Sequence, residues 1–309
     1  MAPMLSAYMY ALFSFLMVIA NKLLLTSYLF PSPAFLCLTQ VSSTCLFLLT
    51  ARAFGIVQFG ASLSDAAGIF PLPIYFFGNL VFGLSGTQVV SLPMFTVLRR
   101  LCILMTFIGE LIFLQRRGDN RGVGLAVFLM LLGASIAAMN DLTFDLAGYA
   151  FLMLNNLFTA AYGITVKLKT GNLSGLSKYG ILYHCCSIAV LPCLALNLWT
   201  GEFSRVADYR GWSLPVVWAL FCTSNLLQLF LLYSTIQCTA DNGPLTTTVI
   251  GVLKNVLVTY LGMFIGRDYV FTLHNFMGLN VSTLGGVLYT YLTFKAPKVE
   301  PQKGTVIVR

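Results

Sequence analysis

Runs of about twenty mainly apolar residues recur along this chain, and they constrain its fold more than any other feature. A helix needs roughly 20 such residues to cross the hydrocarbon core of a bilayer. Of the 309 residues, 58% are hydrophobic and only 9% are charged, whereas about 25% of a soluble domain is charged. The sequence therefore predicts an all-α integral membrane protein with ten transmembrane helices. The predicted spans are 5–27, 33–51, 68–87, 90–114, 122–139, 147–166, 178–198, 214–235, 244–266 and 271–294.

The basic residues of the connecting loops predict how these spans are oriented. Cytosolic loops of membrane proteins carry an excess of Lys and Arg. If the N-terminus is cytosolic, only Arg205, Arg210 and Arg267 lie on the lumenal side. The cytosolic side then holds Arg52, Arg116, Arg117, Arg121, Lys167, Lys169, Lys178, Lys295, Lys298, Lys303 and Arg309. We therefore expect both termini in the cytosol, one ten-helix domain over 1–295, and a cytosolic tail over 296–309.

A faint internal repeat relates the two halves of the chain, at about 1–143 and 144–295. Lys22 aligns with Lys167 at an offset of 145, and 99–100 in the fourth span aligns with 254–255 in the ninth. Because five is odd, duplication of a five-helix unit inverts its orientation in the membrane. Inverted repeats place a binding site near the midplane, between the halves.

Several classes of protein are excluded by what the chain lacks. The net charge of +8 comes with no basic helix or basic-aromatic stripe on a soluble face, so nucleic acid is not the expected partner. The eight cysteines have neither metal-ligand spacing nor the loop pairs of a disulfide framework. No loop is large enough to bury a donor sugar beside catalytic acids, so we expect neither an enzyme nor a cofactor.

Three cations lie deep inside predicted spans: Arg99 and Arg100 in the fourth, and Lys254 in the ninth. A cation at the centre of a spanning helix costs roughly 2.5–3.5 kcal/mol on insertion scales. Glu110 is the one acid found inside a span, about three turns from Arg99, so pairing with internal acids is the weaker alternative to anion binding. A diphosphate suits such a cavity through its charge and its acceptor oxygens. Lys22 lies towards the lumenal end of the first span, where binding and snorkelling to the interface both stay open.

The ninth span carries a polar face. Thr247, Gly251, Lys254 and Asn255 have helical i, i+4, i+7, i+8 spacing and share one side. Glycine leaves room there for a ligand, or alternatively for the backbone of a packed helix. The lysine favours the first alternative, in which this face lines a ligand cavity.

The seventh span contains Tyr183 and His184, either of which can stack on a nucleobase. The alternative for His184 is a structural histidine that is satisfied within the fold.

At these residues the sequence resembles the nucleotide-sugar transporter family of the drug/metabolite transporter superfamily. The likeness extends from about residue 15 to about residue 295, and the branch it most resembles carries UDP-glucuronate, UDP-N-acetylgalactosamine, UDP-N-acetylglucosamine and UDP-glucose. The stretches that carry it are 21–26 (NKLLLT), 30–33 (FPSP), 91–100 (SLPMFTVLRR), 141–149 (DLTFDLAGY), 251–255 (GVLKN) and 266–271 (GRDYVF).

The resemblance implies roles for individual residues. In GDP-mannose relatives a Phe-Tyr-Asn-Asn motif on the seventh helix reads guanine, but here 183–186 reads Tyr-His-Cys-Cys, which argues against guanine and departs from the Tyr-Asn of UDP-sugar relatives. Those GDP-mannose relatives have Gly-Ala-Leu-Asn-Lys on the ninth helix, whereas 251–255 here reverses the last two residues, as UDP-sugar relatives do. On this likeness Lys254 binds phosphate, Asn255 and Thr247 bind the sugar or ribose, and Gly251 gives room.

The resulting hypothesis is an antiporter of the Golgi membrane, or alternatively of the ER membrane. It exchanges a cytosolic UDP-sugar for lumenal UMP by alternating access around a cationic midplane cavity. The alternatives are a carrier of a GDP-sugar or another phosphorylated organic anion, and a relative that has lost transport. The expected partners are the nucleotides and the lipid bilayer, and a homodimer stays open. The candidate substrate-binding residues are Lys254, Asn255, Gly251, Thr247, Arg99, Arg100, Tyr183, His184 and Lys22.

Overall fold

The computed structural model describes residues 3–89, 92–114, 120–138, 146–172, 177–265 and 273–295, and in these residues the chain is helical, without strands. The predicted tail over 296–309 lies outside them. The α-helices are α1 Pro3–Lys22, α2 Pro33–Ala53, α3 Leu63–Gly68, α4 Leu72–Val89, α5 Leu92–Phe113, α6 Asn120–Ala138, α7 Leu146–Asn172, α8 Lys178–Trp199, α9 Glu202–Ala207, α10 Pro215–Asn242, α11 Pro244–Ile265 and α12 Leu273–Lys295. A π-helical turn over Leu23–Ser27 continues α1, and a 3-10 turn over Arg210–Ser213 precedes α10.

Each predicted span overlaps one of the longer helices. Within the described ranges, α1, α2, α7, α8 and α10 are long and apolar enough by length and composition to cross a membrane. An apolar, helical membrane protein is therefore the class of fold. The full count of ten membrane crossings stays a prediction.

The third predicted span was wrong in its start. It was placed at 68–87, but the chain leaves α3 at Gly68 and re-enters a helix only at Leu72. Pro71 lies in this break, and proline has no backbone N–H to donate within a helix. The six-residue α3 begins at a capping box, in which the Ser62 side chain accepts from the Asp65 amide.

The longer helices pack in pairs that repeat along the chain. Helix α4 packs on α7 and α8, while α10 packs on α1 and α2. Helix α5 packs on α6 and α7, while α11 packs on α12 and α1. The pairs α2 with α8, α5 with α11, and α6 with α12 complete the arrangement. This packing brings α1, α5, α7 and α11 together.

The corner between α10 and α11 sets the direction of α11. Gly243 has a φ of 96°, a left-handed conformation that glycine adopts without a steric penalty. Pro244 then opens α11, where its fixed φ suits a first helical turn. The backbone amide of Leu245 donates to Glu110 Oε1 on α5 at 2.7 Å. The only acid that the sequence places inside a span thus caps α11 in this structure.

Candidate functional site

Arg99 is held by a chain of amide groups that crosses from α5 to α4. Its guanidinium donates to Asn155 Oδ1 on α7. Asn155 is only 1% exposed. Its Nδ2 donates to the carbonyl oxygen of Asn79 at 2.7 Å and to the Oδ1 of the same residue at 2.8 Å. Thr159 Oγ1 donates to that Oδ1 at 2.7 Å. Because an amide oxygen is a neutral acceptor, the contact with Asn155 orients the guanidinium without neutralising it.

Lys254 brings a second positive charge to the same place. Helices α5 and α11 pack against each other, and Arg99 and Lys254 are close enough for their charges to repel. Lys254 is half-buried. Two like charges repel each other at close range, and an anion bound between them relieves that repulsion. The structure thus brings together two of the three deep cations that the sequence singled out.

Gly251 on α11 and Tyr10 on α1 approach each other closely beside these cations. A Cβ built on Gly251 would lie 3.1 Å from the Tyr10 hydroxyl on α1, and Tyr10 is also within electrostatic range of Arg99. We call Tyr10, Arg99, Asn155, Gly251 and Lys254 the cationic site. Tyr10 and Asn155 were missed by sequence reasoning, although the repeat offset of 145 aligns them with each other.

Arg100 lies on a different face of α5 from Arg99. It is 2% exposed, and its Nε, Nη1 and Nη2 have no hydrogen-bond partner in the part of the chain that the structure describes. Helical spacing puts it on the α5 face of Ile103, Leu104 and Phe107, which packs in a core cluster with residues of α6, α11 and α12. The two neighbouring arginines therefore occupy different faces, as their 100° separation on a helix requires.

Thr247 lies one turn before Gly251, but its hydroxyl is hydrogen-bonded within the protein. Thr247 is buried, accepts from Thr239 Oγ1 at 3.1 Å and donates to the carbonyl oxygen of Gly243 at 3.2 Å. The side chain of Asn255 lies outside what the structure describes.

Tyr183 and His184 contact the loop between α2 and α3. His184 Nε2 is 3.1 Å from the carbonyl oxygen of Gly60, and the Tyr183 ring centroid is 5.2 Å from that of Phe59. Hydrogen bonds from Ser62 lower the pKa of the Asp65 carboxyl in this loop, with a smaller contribution from nearby His184. These contacts are made with the loop between α2 and α3, and not with the residues of the cationic site. A role for either ring in base binding stays a prediction.

Lys22 is set apart from the cationic site along α1. It is the last residue of α1 and is exposed. Twelve residues separate it from Tyr10, which corresponds to about 18 Å of helix. The neighbouring Asn21 instead joins a polar contact with α2 and α10, where its Oδ1 accepts from Ser224 Oγ at 2.7 Å and from Gln40 Nε2 at 3.3 Å.

Comparisons with known proteins place this arrangement in a family. The chain is 45% identical to the UDP-sugar transporter UST74c of Drosophila melanogaster over 291 residues, covering 94% of this chain and 78% of that one. It is 41% identical to the nucleotide sugar transporter SLC35D2 of Homo sapiens over 296 residues, covering 96% of this chain and 87% of that one. A crystal structure with 15% identity has the same fold, with a TM-score of 0.67 over 95% of this chain and 99% of that one. No family model matches the chain.

Apolar helices and transporter relatives together define a membrane transporter. The chain belongs to the nucleotide-sugar transporter family. Relatives of this kind fit the expectation that it is not an enzyme.

Proposed function

We propose that the protein exchanges a cytosolic UDP-sugar for lumenal UMP. The observation that carries this proposal is the cationic site, in which Arg99 from α5 and Lys254 from α11 are brought together. The preference for uracil is supported by relatives named as UDP-sugar transporters.

The cationic site suits a phosphate group. A guanidinium offers a planar fork of N–H donors, and an ammonium offers a compact point charge, so the two bind one phosphate from different directions. Gly251 has no side chain to fill the space beside them, and the Tyr10 hydroxyl faces that space. Thr247 and Asn255 stay candidates for the sugar or ribose, and Tyr183 with His184 for the base.

Alternating access between two inverted five-helix repeats is the proposed mechanism. The packing of the helices supports this mechanism, because the packing partners are exchanged when the helices of the two repeats are matched in order. The first repeat then consists of α1, α2, α4, α5 and α6, and the second of α7, α8, α10, α11 and α12. The pair α4 with α7 becomes α10 with α1, and α5 with α6 becomes α11 with α12. Under the same equivalence Arg99 corresponds to Lys254, so both repeats contribute a cation to the site.

The charges also give a physical reason for obligatory exchange. An empty cationic site resists closure, because closing removes water from two like charges. A bound nucleotide supplies an anion and lowers the cost. The transporter therefore crosses between its two states only when loaded, with UDP-sugar in one direction and UMP in the other. We place this exchange in the Golgi membrane, with the ER membrane as the alternative and both termini in the cytosol.

Uptake into proteoliposomes tests the proposal. The purified protein is reconstituted into liposomes preloaded with UMP, GMP, CMP or buffer, and uptake of a panel of nucleotide sugars is measured. UMP-loaded liposomes should take up UDP-sugars, and buffer-loaded liposomes should not. Faster uptake of GDP-sugars into GMP-loaded liposomes would instead identify a GDP-sugar carrier. Absence of uptake under every loading would identify a relative that has lost transport.

A further inference from the structure

Arg100 is a buried cation that the proposed exchange at Arg99 and Lys254 does not use. All three of its guanidinium nitrogens are buried and have no hydrogen-bond partner among the described residues. A guanidinium stays protonated in proteins. A buried, unpaired charge of this kind is strongly unfavourable. Among the described residues, this conformation leaves the guanidinium of Arg100 without a hydrogen-bond acceptor.

The surroundings of Arg100 adjoin the cationic site. Its face of α5 packs in the core cluster that also contains Val252 and Leu253, the two residues before Lys254. Arg100 also follows Arg99 directly, and consecutive Cα atoms are about 3.8 Å apart. A rotation of α5 against α11 would bring the guanidinium to the edge of the site.

We propose that Arg100 binds the second phosphate of a diphosphate ligand. This inference rests on the proposed function, in which Arg99 and Lys254 hold one phosphate. UMP has one phosphate and is satisfied by those two cations. A UDP-sugar has a second phosphate, and this group draws Arg100 out of its apolar surroundings. The two exchange partners are then held by different sets of cations, and Arg100 distinguishes the incoming diphosphate from the outgoing monophosphate.

Ligand binding to Arg100 variants tests this role. Thermal unfolding of the purified protein is followed against increasing UMP or UDP, for the wild type, Arg100→Met and Arg100→Lys. Arg210→Met is the matched control, because Arg210 is an exposed arginine of the lumenal 3-10 turn. Loss of a charge-assisted hydrogen bond weakens binding about tenfold or more.

The expected pattern separates the two ligands. Arg100→Met should raise the melting temperature of the ligand-free protein. It should weaken UDP binding about tenfold and leave the affinity for UMP within about twofold of the wild type. Arg100→Lys keeps the positive charge but loses the planar fork of N–H donors, so it should weaken UDP binding less and also leave UMP binding unchanged. If Arg100→Met does not fold, the test is whether Arg100→Lys selectively weakens UDP binding.

Equal effects on UMP and UDP, or no effect on either, would overturn the role of Arg100. In the first case the guanidinium acts on the conformation and not on the second phosphate. In the second case it is a structural charge. Failure of the proposed function looks different, because the wild type itself would then respond to neither nucleotide.

Discussion

A neutral amide group orients Arg99 among the apolar helices. The guanidinium donates to Asn155 Oδ1, and Asn155 is fixed in turn by the backbone and side chain of Asn79. This chain presents the cation to the space beside Lys254 without cancelling its charge. Asn155 therefore orients Arg99 and, as a neutral amide, does not itself reduce the positive charge of the site.

Replacing Asn155 separates these two effects. Asn155→Leu removes the acceptor of Arg99 and the donor to Asn79, and leaving buried polar groups unpaired should cost about 1–3 kcal/mol of stability each. Asn155→Asp also loses the donor to Asn79 but keeps an acceptor that pairs with Arg99, so it should be less destabilised than Asn155→Leu, and that pairing should weaken UMP binding about tenfold or more. Melting temperature and UMP titration measure the two quantities. A stable Asn155→Asp variant with wild-type UMP affinity would show that Arg99 is not an anion ligand.

Gly251 provides a second residue-scale prediction. Alanine in place of helical glycine stabilises a helix by up to about 1 kcal/mol, but overpacking costs about 1–3 kcal/mol. Gly251→Ala places a methyl group 3.1 Å from the Tyr10 hydroxyl, so the variant should be no more stable than wild type and should bind UMP less well.

Gly124→Ala is the matched control, because the nearest atom to its Cβ is Phe107 Cζ at 4.0 Å. This variant should gain stability. Adding Tyr10→Phe to Gly251→Ala should restore stability by removing the hydroxyl. If Gly251→Ala alone is as stabilised as Gly124→Ala, then Tyr10 and Gly251 are not in contact.

At the scale of helices, α11 depends on how its first turn is capped. Helix N-termini have backbone N–H groups without intrahelical partners, and a carboxylate is a favourable acceptor for them. Glu110 accepts from the Leu245 amide at 2.7 Å, so α5 and α11 are joined at one end by this cap and approach each other again at Arg99 and Lys254.

Glu110→Ala should therefore destabilise the protein by about 0.5–2 kcal/mol, the usual cost of losing a helix cap. Glu110→Gln keeps an oxygen acceptor and should lose less. Thermal unfolding measures both variants. Equal loss for Ala and Gln would mean that the charge of Glu110, and not its capping hydrogen bond, stabilises this end of α11.

The sequence located the longer helices well, because a spanning helix needs a long apolar run and little else. It missed α3 and α9, which are only six residues long, and α3 begins at a local cap between Ser62 and Asp65. Arg99 and Lys254 stand out in the sequence because a cation deep in an apolar span is costly, and their role as ligands stays a prediction. Tyr10 and Asn155 do not stand out, because a polar side chain in a span can be satisfied locally, and only helix packing decides which groups meet.

At the scale of the whole molecule, the repeated packing pairs and the distribution of basic residues make one joint prediction. Five-helix repeats related by inversion put the α2–α3 loop and the α9 region on opposite sides of the membrane. The basic residues place the α2–α3 loop in the cytosol.

Labelling with a membrane-impermeant maleimide checks this orientation. Ala61 and Asp208 are exposed, one in each region. In sealed vesicles with the cytosolic face outside, Ala61→Cys should be labelled at once, and Asp208→Cys only after permeabilisation. Comparison with the unsubstituted chain corrects for the native cysteines. Labelling of both positions in sealed vesicles would contradict the ten-helix orientation.

Exchange by cation variants tests the cationic site most directly. Lys254→Gln, Arg99→Gln and the exposed control Arg210→Gln are each reconstituted into UMP-loaded liposomes, and folding is verified by the melting temperature. Removing one charge-assisted contact to phosphate should lower UDP-sugar uptake roughly tenfold to a hundredfold in the first two variants, and the control should match the wild type. A folded Lys254→Gln variant that exchanges UDP-sugar for UMP at the wild-type rate would contradict phosphate binding at this site.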